Sequence, residues 1–261
     1  SGTITATNRP DAYNVILTLQ QLQAINSGLT GNYVLGADID ASATAGWNSG
    51  AGFDPIGSSY SNSFRGVFDG LGHVISDLFI DRGATESVGL FGFADGATLR
   101  QVGLENVDIT GQNLVGGLVG GQWYSSISHS YATGAVTGSN DVGGLVGAQT
   151  GSSISQSYAI GEVQGGVDVG GLVGYLDNGS ISQSYASASV DGNNRVGGLV
   201  GTQASGDISE SYATGEVRGN NIVGTLIGNS SGTISNSYYL LTDNRTIEST
   251  DFGVNTRGGV R

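Results

Sequence analysis

Val115, Val142, Val169, Val196 and Val223 recur every 27 residues with no insertion between copies. Tyr131, Tyr158, Tyr185 and Tyr212 keep the same interval, and so do Gly111, Gly138, Gly165, Gly192 and Gly219. A period this strict requires one structural unit stacked on copies of itself. Within each period Val-Gly-Gly-Leu-Val-Gly, Ile-Ser-x-Ser-Tyr-Ala and a short piece around Val136, Val163, Val190 or Val217 read as strands. Glycine, asparagine and aspartate mark the corners between them, where left-handed backbone is often needed. Three short strands and three turns in 27 residues describe one coil of a parallel β-solenoid. A propeller blade needs about 40 residues, so the period is too short for one. A leucine-rich repeat would show an asparagine-leucine pattern that is missing here.

The expected fold is all-β: a right-handed parallel β-solenoid (β-helix) of 27-residue coils with an N-terminal capping segment that contains a short helix, the hand following the preference of parallel crossovers. Residues 1–32 read as linker and capping helix, and 33–114 as irregular first coils with a long loop at 41–52. Residues 115–239 are the regular repeats, and 240–261 a terminal coil and tail. In the cap, Thr18 and Gln21 fit a capping box, Leu19, Leu22 and Ile25 share a face, and Asn26-Ser27-Gly28 stops the helix. Like residues then stack coil upon coil about 4.8 Å apart. Tyr131, Tyr158, Tyr185 and Tyr212 form one expected ladder; by strand parity with Ile127 these rings point inward. Asn140, Asn194 and Asn221 form another, broken by Val167, in which side-chain amides satisfy one another.

Composition narrows function. The 47 glycines are in phase with the hydrophobic residues, which excludes a disordered low-complexity tract. A net charge of −13 repels nucleic acid and anionic membrane surfaces. The absence of cysteine removes disulfides and thiolate metal sites. No apolar run reaches the roughly 18 residues of a membrane span, so membrane insertion is not expected. The opening Ser-Gly-Thr-Ile-Thr-Ala reads as the interior of a longer chain, and the sequence is expected to be a fragment or mature segment.

The repeat resembles the GLUG motif of bacterial surface proteins, through Val-Gly-Gly-Leu-Val-Gly followed by Ile-Ser-x-Ser-Tyr-Ala-x-Gly-x-Val. Upstream, Leu22–Ile25, Gly31–Leu35, Asp38–Ser42, Phe53–Gly57 and Phe68–Ile75 resemble, in order, segments of filamentous-haemagglutinin-like exoproteins. The resemblance implies a secreted or cell-surface segment of a Gram-negative exoprotein, used in adhesion, and it carries over no catalytic residues. It departs from the motif at Thr225, which replaces the second glycine of the last copy.

The side chains offer little chemistry. His129 occupies a position filled by Gln156, Gln183 and Glu210 in other copies, and a required base would not be interchangeable. His73 lies in a turn and reads as a hydrogen-bonding residue. Asp38, Asp40, Asp54, Asp69, Asp77 and Asp81 gather in the first coils, but a glycosidase needs two acids fixed about 5–10 Å apart beside sugar-stacking aromatics. Neither a calcium nonapeptide repeat nor an EF-hand pattern is present. Mixed rows such as Thr133, Ile160, Ser187 and Thr214 do not suit an ice-ordering lattice. No catalytic, cofactor-binding or metal residues are therefore expected. Contact with a surface glycan or a host or environmental surface is assigned to loops 41–52 and 57–64, with Trp47, Tyr60 and Trp123 as the contact residues. A structural spacer or filament module that associates end to end is the alternative role; a carbohydrate-active β-helix enzyme is the other.

Overall fold

The computed structural model describes residues 2–4, 12–240 and 246–248; the expected tail at 241–245 and 249–261 lies outside these residues. It is a parallel β-solenoid with one short helix near its N-terminus. Among the described residues the strands form four sheets, of ten, eleven, five and six strands, which are the walls of the coil. A serine wall carries Ser126–Ser128, Ser153–Ser155 and their equivalents, and a tyrosine wall Tyr131–Thr137, Tyr158–Gln164 and Tyr185–Asp191. A valine wall holds Asn113–Gly116 to Asn221–Gly224, and a glutamine wall holds Phe91–Asp95 to Ile227–Ser230. The six strands of the glutamine wall count about six coils.

Register follows the sequence period where the period is strict. On the serine wall, paired residues lie 27 apart from Ser126 through Ser153 and Ser180 to Asp207. Toward the N-terminus the offset becomes 28 between Thr98 and Ser126, 31 between Val67 and Thr98, and 35 between Tyr33 and Phe68. The longer coils carry the loops, and their interior is correspondingly wider: Phe53, Phe64, Phe68 and Phe91 are all fully buried there. In the 27-residue coils the core narrows to stacked Val, Leu, Ile and Ala.

The double glycine of each repeat follows from that narrowness. A Cβ on Gly144 would meet Ala159 Cβ at 2.8 Å and press on the carbonyl oxygen of Gly171 in the next coil. Gly117, Gly171 and Gly198 face the same obstruction. Thr225 escapes it because, among the described residues, Asn221–Gly224 is the last strand of the valine wall and no further coil supplies the carbonyl.

The helix, Leu19–Gln23, begins at the expected N-cap: Gln21 N–H donates to Thr18 Oγ1 at 3.2 Å, while the Gln21 side chain reaches one residue beyond the standard capping box, Oε1 accepting from Leu17 N–H at 2.7 Å. Leu19, Leu22 and Ile25 enter the core. On the other face, Gln23 exchanges two hydrogen bonds with the backbone of Asp54 (2.8 and 2.9 Å), and Asn26 Oδ1 accepts from Gly57 N–H at 2.9 Å. Side-chain amides thus cover a backbone edge that would otherwise be open to strand pairing.

The tyrosine ladder forms, with ring centroids 4.8, 4.8 and 5.0 Å apart and planes within 8° of parallel. Its orientation is opposite to the parity expectation. Tyr131, Tyr158, Tyr185 and Tyr212 lie half-buried on the outer face, and Ala132, Ala159, Ala186 and Ala213 point inward. The reason is a left-handed residue at the preceding corner (His129, Gln156, Gln183 and Glu210, φ 48–51°), which shifts the alternation by one. The buried serine after it closes the corner. Ser130 N–H donates to Ser157 Oγ at 3.2 Å, and this repeats through Ser184, Ser211 and Ser237, while each hydroxyl donates to the carbonyl two residues earlier. The asparagine amides pair where neighbours exist, Asn140 with Asn113 at 2.7 Å and Asn221 with Asn194 at 2.9 Å.

Candidate functional site

Two of the three contact residues meet at one place. Trp123 ends a strand of the glutamine wall and stacks on Phe93 of the preceding coil, with centroids 4.4 Å apart. Tyr60, from loop 57–64, meets the same Phe93 edge-on at 5.8 Å. Gly121 makes this possible, since a Cβ there would sit 2.7 Å from both the Phe93 and Trp123 rings. Phe93 is buried beneath the other two, Trp123 is half-buried, and Tyr60 remains 58 % exposed. Arg65, just after loop 57–64, pairs at 3.0 Å with Asp95, which ends the strand that carries Phe93. The arrangement is an aromatic platform held on rigid strands.

Trp47 stands apart. It is half-buried, packs against the core and stacks on Phe53 at 6.4 Å. With Gln23, Asn26, Asn48 and Asp54 it lines a shallow cleft. That cleft holds a single carboxylate, Asp54, which is bound to Arg82 at 3.1 Å.

Of the remaining N-terminal acids, Asp38, Asp40, Asp69 and Asp77 each have their own partner, Asp40 accepting from Ser42 N–H at 2.9 Å. Asp38 accepts from Val74 N–H at 3.0 Å and contacts His73 Nδ1 at 2.9 Å; the backbone bond first, and His73 second, hold its carboxyl below the usual range. Asp69 is buried against Arg100 at 2.8 Å, and Asp77 accepts from Asn106 at 2.6 Å. Among the described residues, no three His, Asp or Glu side chains gather where they could hold a metal ion. Phe64, an aromatic residue close to these acids in sequence, is fully buried and offers no ring face to a sugar.

The tyrosine ladder offers ring edges rather than faces. Tyr158 and Tyr185 each have a neighbouring ring on both sides, and Tyr131 rests on Gly103, where a Cβ would come within 2.7–2.9 Å of its ring. Tyr131 donates to Glu105 at 2.9 Å; burial, followed by that carboxylate, pushes its pKa up to about 12. A sugar needs an open ring face to stack on, and the interior rungs have none.

One residue escaped the sequence reading. Tyr124, next to Trp123, is 66 % exposed and left-handed (φ 48°). The same corner in flanking coils is taken by Gly96 and Gly151, both also left-handed. Aligning Gln122-Trp-Tyr-Ser-Ser-Ile with Gln149-Thr-Gly-Ser-Ser-Ile would have exposed it, as an aromatic residue standing where the repeat has glycine.

A charged stack occupies the valine wall. Register places Asp141, Asp168 and Arg195 in adjacent coils. Arg195 binds Asp168 through two hydrogen bonds of 2.6 Å, and the Thr202 hydroxyl donates to the same carboxylate. Asp141 has no such partner. Burial first, and the Asp168 charge second, raise its pKa to about 6, with Arg195 pulling the other way.

Comparison with known proteins fits this geometry. The chain is 43 % identical over 140 residues to Halomucin of Haloquadratum walsbyi, a stretch that covers 51 % of this chain and only 2 % of that protein. A solved structure from Bacteroides ovatus, described as a candidate immunoglobulin A1 protease, superposes with a TM-score of 0.69 over 93 % of this chain and 80 % of its own. At 24 % identity that likeness concerns the fold. Four consecutive segments, 111–137, 138–164, 165–191 and 192–218, match the GLUG motif, so the regular coils of the solenoid carry four copies of that repeat.

Proposed function

We propose that this chain is a non-enzymatic, surface-associated segment of a secreted or cell-surface protein. In this reading it is a rigid rod that presents an aromatic corner for attachment to a glycan-bearing host or environmental surface. The observation that carries the reading is the Tyr60–Phe93–Trp123 platform: stacked on strands and open on one side, as aromatic contact residues in binding surfaces are. The Halomucin similarity supports placement outside the cell. The single carboxylate beside Trp47 supports a binding role over glycoside cleavage, which needs two.

The test is binding of the purified chain to a glycan array and to cultured cells, beside a Tyr60→Ala/Trp123→Ala variant whose β circular dichroism is unchanged. Binding that falls by about tenfold or more in the variant supports the platform; equal binding by both would sink it. End-to-end association is the second role. Among the described residues the valine, glutamine and serine walls end on Asn221–Gly224, Ile227–Ser230 and Thr233–Ser235, whose outer edges have no strand partner. Concentration-dependent growth in sedimentation velocity would support that role, and a monomer at all concentrations would end it.

A further inference from the structure

Around the corner from the platform, an open groove of about 580 Å³ runs along the solenoid axis from Gly96 to Asp207. We propose that it is a binding track for one extended, neutral polysaccharide chain, with Tyr124 as its stacking residue. This deepens the attachment reading by adding a second site and naming its ligand class, and it rests on that reading for the role alone.

Three independent features carry the assignment. First, Thr98, Ser126, Ser153, Ser180 and Asp207 stand in register on consecutive coils along one bank. The Ser153 and Ser180 hydroxyls have no partner within the described chain, whereas the buried Ser125 and Ser152 hydroxyls beneath are bonded to Trp123 and Thr150 carbonyls at 2.7 and 2.9 Å. Hydroxyls left free at the coil spacing of about 4.8 Å offer evenly spaced donors and acceptors to a polymer of hydroxyl-bearing units. Second, Tyr124 stands over the groove. Its ring lies across Gly151, where a Cβ would come within 2.8 Å of it, and its 66 % exposure leaves the rest of the ring free for the apolar face of a sugar. A bulky side chain at a left-handed corner carries a backbone cost that the glycines of the flanking coils avoid. Third, Asp207, at one end, is the only charged group among the described residues that line the groove. A chain of net charge −13 with such a groove selects against polyanions.

The experiment is affinity electrophoresis of residues 1–261 through gels containing hydroxyethyl cellulose, laminarin or dextran, with alginate as the anionic control. Tyr124→Gly installs the residue that Gly96 and Gly151 supply at this corner, and Ser153→Arg fills the groove from an outward position. Both keep the core intact, and each is checked by its melting curve. The expected result is retardation by at least one neutral polymer and none by alginate. Tyr124→Gly should weaken that retardation about tenfold and Ser153→Arg should abolish it. Loss only in the Tyr60/Trp123 variant would overturn the groove and leave the platform standing. No retardation by any neutral polymer, or equal retardation of the groove variants, would also overturn it, whatever the cell-binding assay shows.

Discussion

Asp141→Asn should make the protein more stable at neutral pH and leave it nearly unchanged at pH 4. Asp141 is half-buried on the valine wall beside Asp168, whose charge is already matched by Arg195 and Thr202. Its folded pKa of about 6 lies above the unfolded value of 3.8, so ionisation opposes folding. Below pH 3.8 both states hold the proton and there is no penalty. The penalty grows between pH 3.8 and 6, and it is complete above pH 6. A shift of about two units corresponds to ~3 kcal/mol at 1.36 kcal/mol per unit; solvent screening of the partly open carboxylate reduces this to ~1–2 kcal/mol. Asparagine keeps the shape, tolerates the left-handed backbone (φ 52°) and removes the charge. Thermal melts of both proteins every half unit from pH 4 to 7.5 read the effect as a difference in midpoint. That comparison does not depend on strict two-state unfolding, which long repeat arrays do not guarantee. The difference should rise across pH 4–6 and then level. A difference that stays flat across the range, or a variant that melts lower at pH 7.5, would refute the argument.

Four further outcomes follow from the same contacts. Asp168→Asn should destabilise by ~1–3 kcal/mol at pH 7, since it weakens the bidentate pair with Arg195; a change under half a kcal/mol in urea unfolding would contradict this. Tyr158→Ala removes ring stacking on both sides and should cost ~1–3 kcal/mol, whereas Tyr131→Phe, which loses one exposed hydrogen bond, should stay within about 1 kcal/mol. Ser157→Ala strips a partner from the buried Ser130 N–H and should cost ~1–3 kcal/mol, with faster amide exchange at Ser130 as the local signature. Gly144→Ala should cost ~3 kcal/mol or prevent folding, because the added carbon meets both a core methyl and the next coil's backbone; near-wild-type melting would show that the walls can spread.

The glutamine column shows where stacking leaves a residue short. Gln122 and Gln149 are fully buried, and their Nε2 groups donate to serine-wall carbonyls, Gln149 to Ser152 at 2.7 Å and Ser180 at 3.2 Å. Their Oε1 atoms have no partner among the described residues. Gln203, two coils beyond Gln149, accepts from Ser230 Oγ at 2.7 Å, but Leu176 stands between them and offers Gln149 nothing. Gln149, the next-coil neighbour of Gln122, directs its Nε2 to the Ser152 and Ser180 carbonyls, so it gives Gln122 Oε1 nothing either.

The sequence by itself determined the solenoid. A fixed 27-residue period can be buried only by stacking like on like, so Val142 over Val115 and Tyr158 over Tyr131 follow from spacing alone. Thr18 and Gln21 announced the helix because a capping box is a local hydrogen-bond pattern. What the period could not fix was direction and cross-section. The tyrosines turned outward because one left-handed residue at His129, Gln156, Gln183 and Glu210 reverses strand parity, and non-glycine sequence does not mark that conformation. Likewise, Tyr60 and Trp123 became neighbours, and Trp47 did not join them, because loop 57–64 folds onto Phe93 whereas Trp47 packs on Phe53. Repetition specifies what stacks along the axis; only the closed coil decides which residues from different turns and loops share one patch of its surface.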